Sequence, residues 1–388
     1  MVQKKLKKIK VAFIISNNSN WLGEVNYFKS LIGSINELEK DIPIKLYVFT
    51  SKFEKYFTKK KYKNLSIIQT SFLNSGGFLP FIKKVLSNLF RNYDPIISYL
   101  LKKYSINVLS HYKPINGFKN ISWFPDFQHI HYPNFFSKRD IQNRNKLYNN
   151  YIKNSEILVV SSKSSKKDLI NFKREKKRIE VLNFVPEINF LKIKKKKYLQ
   201  KEIDIKKKYL FTPNQFWIHK NHICIIEALN ILKKKGIKIQ CIFTGSSYDH
   251  RNPNYFSDLM KKIKFYKLEN QIKYKGILPY NKIINLLYNA DIIINPSFFE
   301  GWSTVVEEAK ILDKKILLSN IDVHIEQNPK KGIYFDPYNP KDLANSIQKI
   351  YESRKGVRKN LKTLINNYHN NRKLFAERFI EIVQTLKI

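Results

Sequence analysis

Residues 295–309 have the sequence NPSFFEGWSTVVEEA, and this stretch determines the fold class that we predict. An apolar run from Asp291 to Asn295 precedes it and has the length and composition of a buried parallel strand. The stretch then breaks at Pro296 and Gly301 and continues with helical periodicity. A strand that ends in a glycine-containing turn and leads into a helix directs backbone N–H groups towards the space above the sheet. The pattern therefore predicts an anion-binding strand-turn-helix unit of an α/β domain.

Two acidic residues flank this turn, Glu300 before the helix and Glu308 in its first turn. A purely structural interpretation is open for both of them, as an ordinary loop acid and an ordinary first-turn acid. Thr304-Val-Val-Glu307 predicts a capping box, which would explain Glu307 by the helix start alone. The complete string, with a strand before it and Ala309 after it, favours a functional site over these local explanations.

The alternation of strand and helix extends through the second half of the chain. The predicted strands are 209–211, 238–243, 271–274, 291–295, 315–319 and 332–335. The predicted helices are 223–235, 255–267, 280–289, 305–312 and 340–353. Regular alternation of this kind means parallel strands with right-handed crossovers.

The first half shows the same pattern with shorter apolar runs. The predicted strands are 9–15, 44–49, 65–69, 107–110, 121–123, 157–161 and 179–182. The predicted helices are 24–38, 81–103 with an interruption at Asp94-Pro95, 138–153, and a last helix over 371–388.

A chain of 388 residues exceeds one ordinary core and indicates two domains. We predict an N-terminal Rossmann-like domain over 1–188, a lysine-rich linker over 189–208 and a C-terminal Rossmann-like domain over 209–365. The C-terminal helix, 366–388, is expected to pack back towards the N-terminal domain. Two doubly wound α/β domains place a ligand cleft at the carboxyl ends of their strands.

The net charge of +41 arises from 72 basic and 31 acidic residues. Lysine runs occur in several places, whereas nucleic-acid-binding proteins usually concentrate their charge on one element. The open explanations are compositional drift, an anionic membrane face, an acidic substrate and nucleic acid, and nucleic acid is less favoured than drift or a membrane. Two dispersed cysteines, Cys224 and Cys241, form no disulfide framework and fit a reducing compartment.

The N-terminus imitates a signal peptide, with a basic stretch before the apolar run Val11–Ile15. The run is too short for a signal sequence and fits a first buried strand better. No apolar run has the length needed to span a bilayer, so we expect a soluble or peripheral protein.

The spacing Glu300-x7-Glu308 resembles the donor-sugar motif of the group 1 (GT4) family of retaining glycosyltransferases. The resemblance implies a GT-B fold, in which two Rossmann-like domains face each other across a cleft. It implies that Glu308 binds the ribose hydroxyls of a nucleotide sugar and that Glu300 lies beside the transferred sugar. Backbone N–H groups of the turn would bind phosphate oxygens; this turn consists of Gly301, Trp302, Ser303 and Thr304.

A second string, FTPNQFWIHKNH over 211–222, resembles the family segment that brings a basic pair to the diphosphate. Lys220 occupies the lysine position, but Gln215 stands where many members have arginine. A subset of bacterial polysaccharide transferases carries this NQFWxHKNH pattern. Two later turns carry Gly245 and Ile277, and the second resembles the loop that packs against the base. His219 and His222 have no partners spaced to complete a metal site, so no metal is expected.

The acceptor side is predicted from WFPDFQHIHYPNFF over 123–136, which combines hydrogen-bonding groups with aromatic rings. Asp126 and His129 are the candidates for contact with the sugar or the acceptor, and a structural role remains open for both. Gly23 keeps the first glycine of the family's glycine-rich first loop, while Glu24 replaces the second.

The resemblance implies metal-independent transfer of a hexose or deoxyhexose to a glycan hydroxyl, with retention of configuration. The expected setting is bacterial surface polysaccharide, either lipopolysaccharide O-antigen or capsule, with a lipid-linked acceptor at the cytoplasmic face of the inner membrane. No cofactor and no nucleic-acid partner are expected. The alternatives are a basic nucleic-acid-binding protein and a GT-B sugar epimerase or phosphorylase, although no cofactor lysine for a phosphorylase is evident.

Overall fold

The computed structural model describes residues 8–15, 22–38, 42–51, 65–70, 73, 94–174, 176–193, 208–352 and 360–387. The chain divides into two compact units. The first consists of 1–127, 139–187 and 370–388, and the second of 128–138 and 188–369.

The described helices are numbered along the chain. They are α1 (Leu22–Asn36), α2 (Pro95–Lys103), α3 (Gln128–His131), α4 (Lys138–Asn154), α5 (Lys163–Phe172), α6 (His222–Lys234), α7 (Tyr255–Phe265), α8 (Tyr280–Asn289), α9 (Thr304–Ile311), α10 (Asp322–Gln327), α11 (Pro340–Glu352) and α12 (Leu361–Gln384). None of these described helices is both long and apolar enough to cross a lipid bilayer.

Within the described residues, the first unit contains a seven-stranded sheet. Its strands are β1 (Ile9–Ile15), β2 (Ile44–Thr50), β3 (Leu65–Gln69), β4 (Val108–Ser110), β5 (Lys119–Phe124), β6 (Ile157–Val160) and β7 (Arg178–Val181). They pair in parallel in the order β3-β2-β1-β4-β5-β6-β7. Apolar residues from Val11 to Ile15 are almost completely buried, as expected for a central strand covered on both faces.

The second unit contains a six-stranded sheet among its described residues. Its strands are β8 (Tyr209–Thr212), β9 (Gln240–Phe243), β10 (Ile272–Tyr274), β11 (Ile292–Asn295), β12 (Ile316–Ser319) and β13 (Gly332–Phe335). They pair in parallel in the order β10-β9-β8-β11-β12-β13. The strand order reverses between β8 and β11, and open sheets of this kind bind ligands at the carboxyl ends beside such a reversal.

The two parallel sheets confirm the predicted α/β class. Every predicted strand is present within two residues of its predicted bounds. The prediction missed α3, α5 and α10, and it began the last helix at Asn371 instead of Leu361. Between residues 361 and 370 only Leu364 and Tyr368 are buried, so this part of the helix has little apolar periodicity to detect.

Asp94 and Pro95 begin a helix and do not interrupt one. The Asp94 carboxylate accepts a hydrogen bond from the Ile97 N–H at 3.1 Å, and Pro95 occupies the first turn of α2. The remainder of the predicted helix, 81–93, lies outside the described residues.

Within the first unit, Arg372 ties α12 to α1. Its guanidinium is fully buried and donates to both carboxylate oxygens of Glu37 at 2.8 Å. A Cβ on Gly33 of α1 would lie 2.8 Å from the Arg372 Nη2 atom, so glycine leaves room for this side chain.

Candidate active site

The candidate site lies in the second unit at the carboxyl ends of β8 and β11, and its centre is Asn295. This last residue of β11 is fully buried. Its amide nitrogen donates to Ser303 Oγ at 2.7 Å, and its amide oxygen accepts from Asn214 Nδ2 at 3.2 Å. A buried amide with its hydrogen bonds satisfied on both sides fixes the turn that follows β11 against the loop that follows β8.

His324 supports Asn295 from α10. Its Nδ1 atom donates to the Ser319 carbonyl at 3.0 Å, which leaves Nε2 to accept from Asn295 Nδ2 at 3.3 Å. Burial lowers the pKa of His324 to about 4, so the ring is neutral at physiological pH, as this arrangement requires. The segment 319–327 therefore contacts the site residues themselves.

The predicted capping box at the start of α9 is wrong. The N-cap residue is Ser303, not Thr304, and no side chain of the helix caps it. Glu307 instead accepts hydrogen bonds from Gln327 Nε2 at 2.9 Å and Lys310 Nζ at 3.0 Å. The Ser303 N–H donates to Gln327 Oε1 at 3.2 Å, so this amide of the predicted phosphate-binding turn already has a protein acceptor.

Lys220 and Glu300 form an ion pair in the second unit. The Lys220 Nζ atom lies 2.6 Å from Glu300 Oε1, and the two side chains are only 15% and 9% exposed. The Ser297 hydroxyl lies 2.7 Å from the same Glu300 oxygen and 2.8 Å from Asn295 Oδ1, so its single proton serves one of these acceptors. The sequence predicted each residue of the pair separately, and the structure brings them into contact.

Backbone hydrogen bonds join the two loops that carry this pair. The Phe298 N–H donates to the His219 carbonyl at 2.8 Å. Asn221, in the left-handed conformation at φ 53°, donates its side-chain amide to the Pro296 carbonyl at 3.1 Å. The Lys220–Glu300 pair is therefore held by its backbone as well as by its charges.

Glu308 lies in the second turn of α9, not in the first turn as predicted, and is only 3% exposed. Tyr280, the first residue of α8, donates its hydroxyl to Glu308 Oε1 at 2.7 Å. Burial raises the pKa of Glu308 to about 7, and the bond from Tyr280 acts in the opposite direction. The sequence did not single out Tyr280, although it directly follows the loop 276–279 that resembles the base-binding loop of the family.

Gln215 and Gly245 meet at the ends of β8 and β9. Gln215 Oε1 accepts a hydrogen bond from the Ser246 N–H at 2.6 Å, so this side chain contacts the loop that follows β9. Gln215 stands at the position where many family members have arginine. Gly245 has φ 135°, and a Cβ there would overlap the Asn214 carbonyl oxygen. The loop after β10 places Ile277 at the surface, with 66% of its side chain exposed.

Gly245→Ala is expected to destabilise the second unit by about 3 kcal/mol, because it combines a forbidden φ with a backbone overlap. The matched control is Gly236→Ala at φ 77°, where a Cβ meets nothing within 4 Å. There only the conformational cost of about 1 kcal/mol remains. Urea unfolding of both variants measures the difference, and equal losses of stability would contradict the close approach at Gly245.

Asp126 and His129 fall in different compact units. Asp126 belongs to the first unit and forms an ion pair with Arg144 at 3.0 Å. His129 belongs to the second unit, lies in α3 and is 1% exposed. Gly23 is an exposed residue of α1 in the first unit.

Arg251 is a further residue that the sequence did not indicate. It is bound to Asp249 through two hydrogen bonds of 2.9 and 3.1 Å. Its guanidinium also lies 5.1 Å from the ring centre of Phe136 and 5.3 Å from that of Trp217. It therefore connects the 128–138 segment with the NQFWxHKNH loop inside the second unit, through the cation–π contacts that arginine favours.

His222 packs as an aromatic core residue. Its ring stacks on Phe216 at 4.2 Å, it is fully buried, and burial lowers its pKa to about 3. Within the part of the chain that the structure describes, no group of three or more His, Cys, Asp and Glu residues could hold a metal ion.

Residues 193–372 match the family model described as glycosyl transferases group 1. One curated relative is the N,N'-diacetylbacillosaminyl-diphospho-undecaprenol alpha-1,3-N-acetylgalactosaminyltransferase of Campylobacter jejuni subsp. jejuni. It is 31% identical over 105 residues, which cover 26% of this chain and 27% of the relative's length.

Solved structures resemble the whole chain. The Anabaena protein HepE in complex with UDP-glucose has a TM-score of 0.69 and 14% identity, covering 97% of this chain and 100% of that one. WaaG, a glycosyltransferase involved in lipopolysaccharide biosynthesis, has a TM-score of 0.63 and 14% identity, covering 95% of both chains. At these identities the likenesses show the fold, and they confirm the predicted GT-B class.

Proposed function

We propose that this chain, whose residues 193–372 match the glycosyl transferases group 1 family model, transfers a sugar from a nucleoside diphosphate sugar to a hydroxyl group of a glycan. The observation that carries the proposal is the gathering of three charged groups at one edge of the second sheet. Lys220, Glu300 and Glu308 all follow the carboxyl ends of β8 or β11, inside the part of the chain that matches the family model.

In the proposed complex, the donor is bound at its ribose and at its diphosphate. Glu308 accepts hydrogen bonds from the ribose hydroxyls, since one carboxylate can accept from two neighbouring donors. Lys220 supplies the positive charge for the diphosphate, and Glu300 lies beside the sugar. Backbone groups of Gly301, Trp302 and Thr304, together with Gln215, Gly245 and Ile277, complete the proposed donor site, and Gly23 is a further proposed donor contact. The Ser303 N–H is not part of this set, because it donates to Gln327.

In the proposed reaction the bond between the anomeric carbon and the phosphate oxygen breaks, and its electron pair stays on the departing nucleoside diphosphate. The acceptor hydroxyl oxygen forms the new bond, and its proton passes to the departing phosphate on the same face of the sugar, with retention. Lys220 stabilises the charge of the leaving group, which is electrostatic help rather than covalent catalysis. Asp126 and His129 are the proposed contacts to the sugar or the acceptor.

The proposed acceptor is a lipid-linked glycan of bacterial surface polysaccharide, in O-antigen or capsule assembly. Support comes from the Campylobacter relative, whose name describes a diphospho-undecaprenol substrate, and from WaaG, which is involved in lipopolysaccharide biosynthesis. The net charge of +41 favours attraction to the anionic inner face of the membrane.

The test is a thermal-shift screen of UDP, GDP, ADP and dTDP sugars, followed by product analysis. A donor that binds the native state raises the unfolding temperature. Release of the nucleoside diphosphate together with a lengthened glycan supports transfer. A free isomerised sugar, or no stabilisation by any member of the panel, contradicts it.

Retention of configuration and independence of metal ions are tested by separate measurements. Proton NMR of the product is expected to show the anomeric configuration of the donor sugar. Because Lys220 supplies the cation for the diphosphate, turnover in EDTA is expected to equal turnover without it. An inverted product or a loss of activity in EDTA would overturn the corresponding part.

A further inference from the structure

Tyr280 links the exposed loop after β10 to the buried carboxylate of Glu308. We propose that Tyr280 is a positioning residue of the donor site: its hydroxyl holds one oxygen of Glu308 and leaves the other for the ribose hydroxyls of the donor. The inference rests on the proposed function, and it assigns to this phenol a role in donor binding that the sequence pattern did not indicate.

The geometry supports a fixed orientation of the Glu308 carboxylate. The Tyr280 hydroxyl lies 2.7 Å from Glu308 Oε1, a normal length for an O–H···O⁻ hydrogen bond. Tyr280 is the first residue of α8 and follows Pro279, whose ring restricts the backbone before it. A hydrogen bond from a rigid phenol therefore selects one rotation of a carboxylate that otherwise has two equivalent oxygens.

The other titratable side chains of this site form hydrogen bonds or ion pairs with residues other than Glu308. On its own helix, Glu307 is bound to Lys310 and Gln327. On α10, the neutral His324 is bound to Asn295 and Ser319.

Lys220 and Glu300, on the loops after β8 and β11, are bound to each other. Among the described residues, the hydrogen-bond donor to the Glu308 carboxylate is thus the Tyr280 phenol and not a cation.

This environment makes the bond from Tyr280 important for the ionisation of Glu308. Burial raises the pKa of Glu308 to about 7, and Tyr280 opposes the rise because it stabilises the carboxylate form. The carboxylate accepts from two hydroxyls, whereas the protonated acid has lost part of its acceptor capacity. Removing the phenol should therefore weaken donor binding near neutral pH and spare it at high pH.

Tyr280→Phe tests this by isothermal titration of UDP, GDP and ADP, whichever binds, between about pH 6 and pH 9. The expected affinity of the variant is about fivefold weaker than wild type at pH 7 and within about twofold of it at pH 9, because the midpoint moves up by about one unit. A general packing defect would weaken binding equally at every pH. The inference is overturned if the pH midpoint of nucleotide affinity is the same in Tyr280→Phe as in wild type, or if the variant loses affinity equally at every pH.

Two further variants separate this inference from the proposed function. Tyr209→Phe, at the start of β8, removes a phenol that donates to the Leu286 carbonyl at 2.8 Å instead of to Glu308, and it is expected to keep the wild-type pH profile. Glu308→Gln is expected to bind the nucleotide weakly, without a midpoint near neutral pH. If Glu308→Gln binds as tightly as wild type at every pH, the donor-site assignment itself is wrong; if only the Tyr280→Phe profile is unchanged, the positioning role alone is wrong.

Discussion

Replacing Lys220 with alanine is expected to lower the turnover number about 10²- to 10³-fold at saturating donor, the range found when one preorganised electrostatic group is removed from an active site. The physical reason is the burial of this charge. With only 15% of its side chain exposed, Lys220 lies where water screens charges poorly, so its proposed effect on a departing diphosphate is expected to be larger than that of a surface lysine. Steady-state kinetics with saturating donor measure the loss.

Lys220→Arg distinguishes charge from geometry. Arginine keeps the positive charge and an ion pair with Glu300, but it replaces a compact ammonium with a larger planar group. We expect Lys220→Arg to retain the stability of the wild type and to recover only part of the turnover. Lys220→Ala also removes the ion-pair partner of the Glu300 carboxylate, whose side chain is only 9% exposed.

Lys331→Ala is the matched control for this prediction. Lys331 and Asp313 form a second lysine–carboxylate pair at the same 2.6 Å separation, with side chains 32% and 7% exposed. These residues precede β13 and β12, at the amino edge of the sheet opposite the candidate site. Lys331→Ala should lower stability without lowering turnover. Comparable losses of turnover in both variants, or a wild-type rate in Lys220→Ala, would exclude the proposed role of Lys220.

The sequence revealed the strands because their signal is local. Runs such as Ile292–Ile294 are entirely apolar, as strands buried on both faces require, and the strands were found within one or two residues. The helices that escaped prediction are short or polar. Helix α10 has six residues, and the first ten residues of α12 bury only two side chains, so neither presents a long apolar face.

The site was predictable only in its charged residues. Glu300, Glu308 and Lys220 stood out because their spacing and strings resemble a family pattern. The contacts that these residues make did not stand out, because they join residues far apart in the chain: Lys220 and Glu300 are 80 positions apart, and Tyr280 and Glu308 are 28 apart. Gln327 replaced the predicted capping box for the same reason, since a cap supplied from another helix leaves no local signature.

Replacing Glu308 with glutamine is expected to weaken donor binding and to stabilise the protein at the same time. The amide keeps an acceptor for Tyr280 but loses the charge that we propose binds two ribose hydroxyls, so the dissociation constant of the nucleotide should rise about 10- to 100-fold at pH 8. The stabilisation follows from burial. Because Glu308 is 3% exposed, ionising it in the folded protein costs free energy that a neutral amide does not.

The sign of the pH dependence follows from the direction of the shift. Burial raises the pKa of Glu308 from 4.5 to about 7 in the folded protein. The stability that the protonated acid contributes is therefore fully present below pH 4.5 and is lost as the pH rises through about 7. The free energy of unfolding of Glu308→Gln relative to wild type should increase over this range by up to about 3 kcal/mol.

Urea unfolding at pH 5 and pH 8, combined with titration of the nucleotide, measures both effects, with Glu307→Gln as the control. Glu307 is the neighbouring buried acid on α9, and its carboxylate is bound by Gln327 and Lys310. Its replacement should alter stability and leave nucleotide affinity unchanged, because that carboxylate is occupied within the protein. A Glu308→Gln variant that is destabilised at pH 8, or that binds the nucleotide like wild type, would show that the buried charge of Glu308 is not what the donor uses.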